Sequence, residues 1–322
     1  MGFREYLARR TVYTLATVFA VITINFLIFR VMPGDPVSIL VAENVIRPEM
    51  IQEVRRLYGL DLPLWEQYLL YLRNAVSGSF GFSFQYRRPV MEEILDRLPN
   101  TIALMGSATV LAIVIGILVG VVSAWKRGKR ADITLLVGSL FFHSVPVYWL
   151  GILILMLFAY QLRLFPTAGT LSRPPPTEFI PLITDYLNHL VLPMLTITLV
   201  LYGTYALITR NTLIDILTQE YVTIARAKGL SKSEIMFRHA IRNAMLPLIT
   251  TIAVSLGYIV GGAVMTETVF SWRGVGRMIF DSVTSRDYPM LQGAFFIISF
   301  SVILANYVAD VLYGVIDPRV KY

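Results

Sequence analysis

Residues 98–125 read LPNTIALMGSATVLAIVIGILVGVVSAW, a stretch without a single Asp, Glu, Lys or Arg. A hydrocarbon core about 30 Å thick needs roughly 20 consecutive apolar residues per helical crossing, because lipid offers no hydrogen bond to an unpaired backbone group. This stretch is therefore predicted to cross a bilayer as a helix. Five further charge-free runs of at least 18 residues lie at 11–29, 133–162, 186–209, 243–266 and 288–309. The expected fold is all-α integral membrane with six transmembrane helices, and an even count puts both termini on one face. Composition agrees: 56% of the 322 residues are hydrophobic and 15% charged, against roughly a quarter charged in ordinary soluble domains.

Basic residues choose the face, since cytoplasmic loops retain Lys and Arg and only short loops count. The terminal side carries 15: three before Thr11, four in 126–130, six in 210–242 and two in the tail. The short loops of the other side carry five: Arg163, Arg173, Arg273, Arg277 and Arg286. The long segment 30–97 holds the remaining eight. Both termini are thus expected in the cytoplasm of a multi-pass chain. The formal charge of +7 reads as topology and contact with anionic membrane lipid. Its dispersal argues against nucleic acid as a partner.

The chain has no cysteine, which excludes disulfides, thiolate chemistry and Cys-based metal sites. Arg4, Arg9 and Arg10 precede the first apolar run in the manner of a signal peptide. That run is long, and Arg30-Val31-Met32-Pro33 offers no small-x-small cleavage site, so an uncleaved first crossing is expected.

Three regions follow: 1–31 with the first crossing, an extracytoplasmic helical segment at 32–97, and a transmembrane core at 98–322 with a cytoplasmic hairpin at 210–247. In the second region Pro48, Pro63 and Pro89 stand where a first helical turn accepts proline, and Gly59 and Gly78 can terminate helices. Trp65, Leu69 and Leu72 recur at helical spacing. That stripe suits either packing on the chain's own membrane domain or a contact surface for an outside partner. The proline-rich loop 163–185, with Pro174-Pro175-Pro176, should be irregular.

No phosphate-binding glycine loop, nucleophile elbow or His-Glu-x-x-His is present. If ATP drives this protein, another chain hydrolyses it. His143, His189 and His239 are too dispersed to propose a metal site, and His143, deep in a charge-free run, reads as a helix–helix contact in preference to a proton relay. Asn25, Asn306 and Asp310 are polar residues within or beside apolar runs, suited to structural hydrogen bonds or to a water-filled path. No catalytic, cofactor-binding, metal-binding or substrate-binding residue is assigned.

The most specific local pattern lies in the hairpin. Residues 212–228 read as one continuous helix, and Gly229 follows where a left-handed cap is needed. Ser231-Lys232-Ser233-Glu234 is a capping box that starts a second helix. Pro247 sits just inside the fifth crossing, where it would kink a helix or begin one. Ala225 and Ala227 flank Arg226 and Lys228, so the tip permits close approach and presents cations. On residues alone it is either a basic connector lying on the membrane or a protein-docking element.

Ala225-Arg226-Ala227-Lys228-Gly229-Leu230-Ser231, followed by Arg238-His239-Ala240-Ile241-Arg242-Asn243-Ala244-Met245-Leu246-Pro247, resembles the EAA loop of ABC importer permeases. More narrowly it is similar to the B-type membrane subunit of the dipeptide/oligopeptide transporter family. Further family-like stretches are Phe29-Arg30-Val31-Met32-Pro33-Gly34-Asp35-Pro36, Arg97-Leu98-Pro99-Asn100-Thr101, Glu267-Thr268-Val269-Phe270-Ser271-Trp272 and Asp317-Pro318-Arg319. Thr223 and Ile224 depart from the motif's Glu and first Ala, and Ala244 from its Ile.

The resemblance implies a type I ABC importer permease fold without catalysis of its own, in the plasma (inner) membrane of a prokaryote. It implies that residues 225–231 dock on an ATPase. Expected partners are a second homologous permease subunit, two ATP-binding subunits that bind ATP and Mg, and an extracytoplasmic substrate-binding protein. Dipeptides or oligopeptides are the expected cargo, with oligosaccharides, glutathione or nickel complexes as alternatives. An intramembrane enzyme would need paired ionisable residues at membrane depth, where only His143 stands, and a secondary transporter would want Asp or Glu within the crossings, which the runs lack.

Overall fold

The structure is a computed structural model describing residues 3–31, 52, 55–56, 59–257 and 259–316. Among these, every regular element is helical: α1 (Phe3–Val31), α2 (Leu64–Ser77), α3 (Val90–Trp125), α4 (Arg130–Ser144), α5 (Val147–Ile154), α6 (Phe179–Leu217), α7 (Glu220–Ala227), α8 (Lys232–Glu234), α9 (Ile241–Gly257), α10 (Val264–Val269), α11 (Val275–Thr284) and α12 (Tyr288–Ile316). Long apolar runs become long helices because intrahelical bonding satisfies every backbone group of a single segment in lipid.

Among the described residues four helices, α1, α3, α6 and α12, are long and apolar enough to cross a membrane. The run 133–162, expected as one crossing, is instead a broken pair. Helix α4 ends at Ser144, α5 starts after Pro146, and the two axes differ by 101°. Proline supplies no N–H and pushes the preceding Val145 into an extended conformation (ψ 130°). Helix α5 then continues as a π-helical turn, Leu155–Gln161. The run 243–266 is also divided: α9 stops at Gly257, a 3-10 turn occupies Ile259–Gly261, and Gly262 has φ +70°. Glycine carries this left-handed backbone without a Cβ penalty.

The chain divides into two units, Met1–Thr101 with Val260–Val264 and Arg273–Tyr322, and Ile102–Ile259 with Met265–Trp272. In the first, α1 packs along α12. The Arg10 guanidinium pairs with the Asp310 carboxylate, and the Thr11 and Tyr307 hydroxyls are 2.9 Å apart. Asn25 donates to the Tyr71 hydroxyl at 2.9 Å and the Gln292 carbonyl at 3.1 Å. Asn25 and Asp310 therefore serve helix packing. The apolar core of this unit joins Val90 and Ile94 of α3 to Val275, Met278 and Ile279 of α11 and Met290, Leu291 and Ala294 of α12.

Helix α2 forms where Pro63 and Gly78 predict it, with Gly78 at φ +70°. Of the helix expected after Pro48, only residues 52 and 55–56 are described; they are helical, and Gly59 follows at φ +60°. Of the stripe on α2, Trp65 and Leu69 are exposed and Leu72 half-buried, while Gln67, Tyr71 and Ala75 are buried, so the stripe does not pack on the chain's own described residues. Periodicity finds a face but not its neighbour. Tyr71 goes inward because Asn25 satisfies its hydroxyl, and Gln67 because its amide donates to the Leu62 carbonyl at 2.6 Å.

In the second unit α6 lies against both α3 and α4. A Cβ on Gly116 would stand 2.5 Å from the Tyr205 Cβ, and one on Gly120 equally close to the Thr209 Cβ. A Cβ on Gly203 would stand 2.6 Å from the Ser139 carbonyl oxygen. Ala108, Ala112 and Ala124, at intervals of four or multiples of four from these glycines along α3, are also buried. Small residues let helix backbones approach in lipid, where packing rather than water exclusion drives association.

Candidate functional site: the helical hairpin at 220–244

The hairpin begins at a break that the sequence conceals. Residues 212–228 are not one helix, since α6 ends at Leu217 and Gln219 is extended (φ −75°, ψ 153°) before α7 starts. The Thr218 hydroxyl donates to the Asp215 carbonyl at 2.8 Å, and the Gln219 N–H to the Ile216 carbonyl at 3.1 Å. These bonds close the last turn of α6 in place of continued helix. The break turns Val222 and Ala225 onto Ile235, forming a small core that Leu217 and Leu230 complete.

The tip is capped on both sides. Gly229 at φ +82° follows α7, its N–H donating to the Arg226 carbonyl at 3.0 Å and the Leu230 N–H to the Ala225 carbonyl at 3.3 Å. This is a Schellman motif, and Leu230 supplies its usual apolar contact. Ser231 then caps α8: the Glu234 N–H donates to Ser231 Oγ at 3.2 Å, and the Ser231 N–H to Glu234 Oε2 at 2.9 Å. The Ser231 N–H, joined by the Ser231 hydroxyl donating to the same Oε2 at 2.8 Å, holds the Glu234 carboxyl below the usual carboxylate range. The second arm runs through a π-helical turn, Ile235–Ala240, into α9, which contains Pro247.

Of the seven residues expected at the tip, Arg226, Ala227, Lys228, Gly229 and Ser231 are exposed and Leu230 is half-buried. Ala225 is buried, so it supports the tip from inside instead of offering close approach. Arg226 is also partly engaged, with Nη2 donating to the Leu217 carbonyl at 3.5 Å, where α6 ends. A cation there meets the negative end of the helix dipole. A Cβ on Gly229 would meet nothing within 4 Å, and Lys232 is exposed beside it.

Several braces were hidden in the sequence. Asn243 Nδ2 donates to the Tyr221 hydroxyl at 3.0 Å, and Phe237 packs beside Trp125 with ring centroids 6.1 Å apart. Met236, Ala240 and Ala244 share a core with Ala124, Leu213 and Ile216. Close by, buried Asp132 accepts from Arg210 Nε at 2.8 Å and Nη2 at 2.9 Å, from Ser123 Oγ at 2.5 Å and from the Gly128 N–H at 3.0 Å. Partners 78 positions apart have no periodic signature. The one available signal was a lone acid beside the basic loop 126–130.

Two of the other family-like stretches, 97–101 and 267–272, hold backbone turns. Asn100 Nδ2 donates to the Arg273 carbonyl at 2.8 Å, and Thr101 Oγ1 accepts the Val275 N–H at 2.8 Å. Trp272, fully buried, lies 5.3 Å from the Tyr186 ring, and the Phe270 carbonyl accepts the Gly169 N–H at 2.9 Å. His143 sits at the end of α4, exposed, with Nδ1 3.4 Å from Thr204 Oγ1. Among the described residues no group of three His, Cys, Asp or Glu could hold a metal ion.

Residues 89–322 match the family model for the binding-protein-dependent transport system inner membrane component, and residues 3–105 match the N-terminal membrane component model of the same systems. The chain is 36% identical to the di/tripeptide transport system permease protein DppB of Pseudomonas aeruginosa, covering 99% of each. It is 35% identical to the oligopeptide transport system permease protein AppB of Bacillus subtilis, covering 98% of this chain and 99% of that one. It is equally identical to the glutathione transport system permease protein GsiC of Escherichia coli, covering 99% of each. Among solved structures, an inward-facing MetNI methionine ABC transporter chain superposes with a TM-score of 0.57 at 17% identity, over 70% of this chain and 97% of that chain. Matches to both models across nearly the whole sequence, on a helical scaffold of type I permease fold, make this chain a member of the binding-protein-dependent inner membrane components, a permease subunit of an ABC importer.

Proposed function

We propose that the chain forms half of the pathway of an ATP-driven importer of dipeptides or oligopeptides, and that residues 226–232 dock on a separate ATP-hydrolysing subunit. The observation that carries the docking role is the doubly capped tip: Gly229 stands in open space between exposed Lys228 and Lys232, over a core that stiffens it. A rigid, cationic projection suits a groove on a partner, whereas a connector needs neither cap. With Thr223 in the place of the motif's glutamate, shape and cations do the work of an ion pair from that position.

The distribution of Lys and Arg, 15 against five in short loops, supports placing the hairpin and both termini in the cytoplasm. The partners on this reading are a second permease chain, two subunits that bind ATP and Mg, and a substrate-binding protein on the far side that contacts part of 32–97. The peptide cargo rests on the di/tripeptide and oligopeptide permease relatives. A glutathione reading has a specific basis in the equally similar GsiC. Mass spectrometry of the ligand retained by the binding protein separates the two.

Gly229→Asp tests docking. The new Cβ has room, and Asp tolerates left-handed backbone better than most residues, so the hairpin folds while its tip loses positive charge. Recovery of the ATPase with this chain should fall on the order of tenfold, equal to about 1.4 kcal/mol of binding, with membrane insertion intact. Normal co-purification together with normal transport would refute the docking role.

A further inference from the structure

We propose that the Asp132–Arg210 ion pair is a positioning pair for transport, pinning α4 to the hairpin platform so that both move as one body. The inference rests on the docking role of the hairpin.

Helices α4 and α6 are held at two points. At Ser139 and Gly203 the backbones approach so closely that a Cβ on Gly203 would overlap the Ser139 carbonyl. At Asp132 and Arg210 the contact is a bidentate ion pair, with the acid side chain 4% exposed and the base 18%. The two points are separated by equal lengths of antiparallel helix, from 132 to 139 on α4 and from 203 to 210 on α6, which is about 10 Å at 1.5 Å per residue. Two anchors at that separation prevent both sliding and pivoting. The steric anchor alone would permit a pivot.

The ionic anchor is also tied to the hairpin. Ser123, which donates to Asp132, precedes Ala124, and Arg210 lies one helical turn before Leu213. Ala124 and Leu213 both sit in the core that seats Met236, Ala240 and Ala244 of the second arm. A push on the tip therefore reaches α4 through Asp132. From there α4 leads to the 101° break before Pro146. A buried pair whose partners have lost water resists separation strongly, though it adds little to net stability compared with apolar packing. A mechanical joint needs that property.

The chain lacks cysteine, so introduced pairs can be spin-labelled without background from it. Labels at Thr134→Cys on α4 and Ser233→Cys on the hairpin, both exposed, are placed in the complete transporter with cysteine-free partner subunits. Distances are read without nucleotide and after trapping with ATP and vanadate. The unmodified pair should give one distance in both states. Asp132→Asn should shift the distance between states, with assembly and basal ATP hydrolysis retained, and Arg210→Lys, which loses the bidentate contact, should shift it less. The charge exchange Asp132→Arg with Arg210→Asp should restore a single distance.

An unchanged distance in Asp132→Asn overturns the proposal, as does a state-dependent distance with the native pair. Loss of folded chain in both single variants would assign the pair to stability alone and also overturn it. Failure of docking reads differently: Gly229→Asp would then co-purify with its ATPase normally, whatever the label distances show.

Discussion

Replacing Gly120 with Ala tests a close helix approach in the second unit. Built on the native backbone, the new Cβ would lie 2.5 Å from the Thr209 Cβ and 2.7 Å from the Ala206 carbonyl oxygen. Carbon pairs prefer about 3.5–4.0 Å, so α3 and α6 must separate by roughly 1 Å along this line. Overpacking of this kind costs about 1–3 kcal/mol. Ala also improves helix propensity over Gly by about 1 kcal/mol, which would blur a single measurement. A Cβ on Gly106, on the same helix, would meet nothing within 4 Å, so Gly106→Ala collects the propensity gain without the clash. The two variants should therefore differ by about 1–3 kcal/mol, with Gly106→Ala the more stable. Thermal unfolding of the purified chain in one detergent reads this as a gap of roughly 2–6 °C, at about 2 °C per kcal/mol for a larger domain. Equal stability, or a more stable Gly120→Ala, would show that α3 and α6 do not meet backbone to backbone at this point.

Three further outcomes concern the hairpin and the stretch ending at Trp272. Ser231→Ala should raise hydrogen exchange at the tip on the order of fivefold, the loss expected for an N-cap, with the transmembrane helices unaffected. Because Glu234 is held below its usual range when folded, its contribution is present above the ordinary carboxylate pKa and disappears as pH falls through the lowered value. Tip protection should therefore weaken on acidification in the native chain and change less in Glu234→Gln. Trp272→Ala removes a fully buried ring beside Tyr186 and should cost about 3–5 kcal/mol, read by thermal unfolding; an unchanged melting temperature would contradict its burial.

Sequence by itself determined the features that depend on near neighbours. Long charge-free runs become helices because a continuous apolar segment in lipid must satisfy its backbone hydrogen bonds within itself, and α2, the turn at Gly229 and the capping box depend on residues within a few positions of one another. Family membership was legible for the same reason, through short strings such as Arg97-Leu98-Pro99-Asn100-Thr101. What those strings do was not: Asn100 and Thr101 hold a turn more than 170 positions away.

Tertiary structure decided which of several locally acceptable conformations prevails. A continuous helix through 212–228 was acceptable on propensity, yet the chain breaks at Thr218 and Gln219 because the break lets Val222 and Ala225 cover Ile235. Ala225 looked like part of an accessible tip until that core enclosed it. The Trp65 stripe turned outward because Asn25 offers Tyr71 a partner on the opposite face. Asp132 and Arg210 meet only after α4 and α6 pack in antiparallel register. Each choice depends on energy gained between residues distant in the chain, a quantity absent from any local window of sequence.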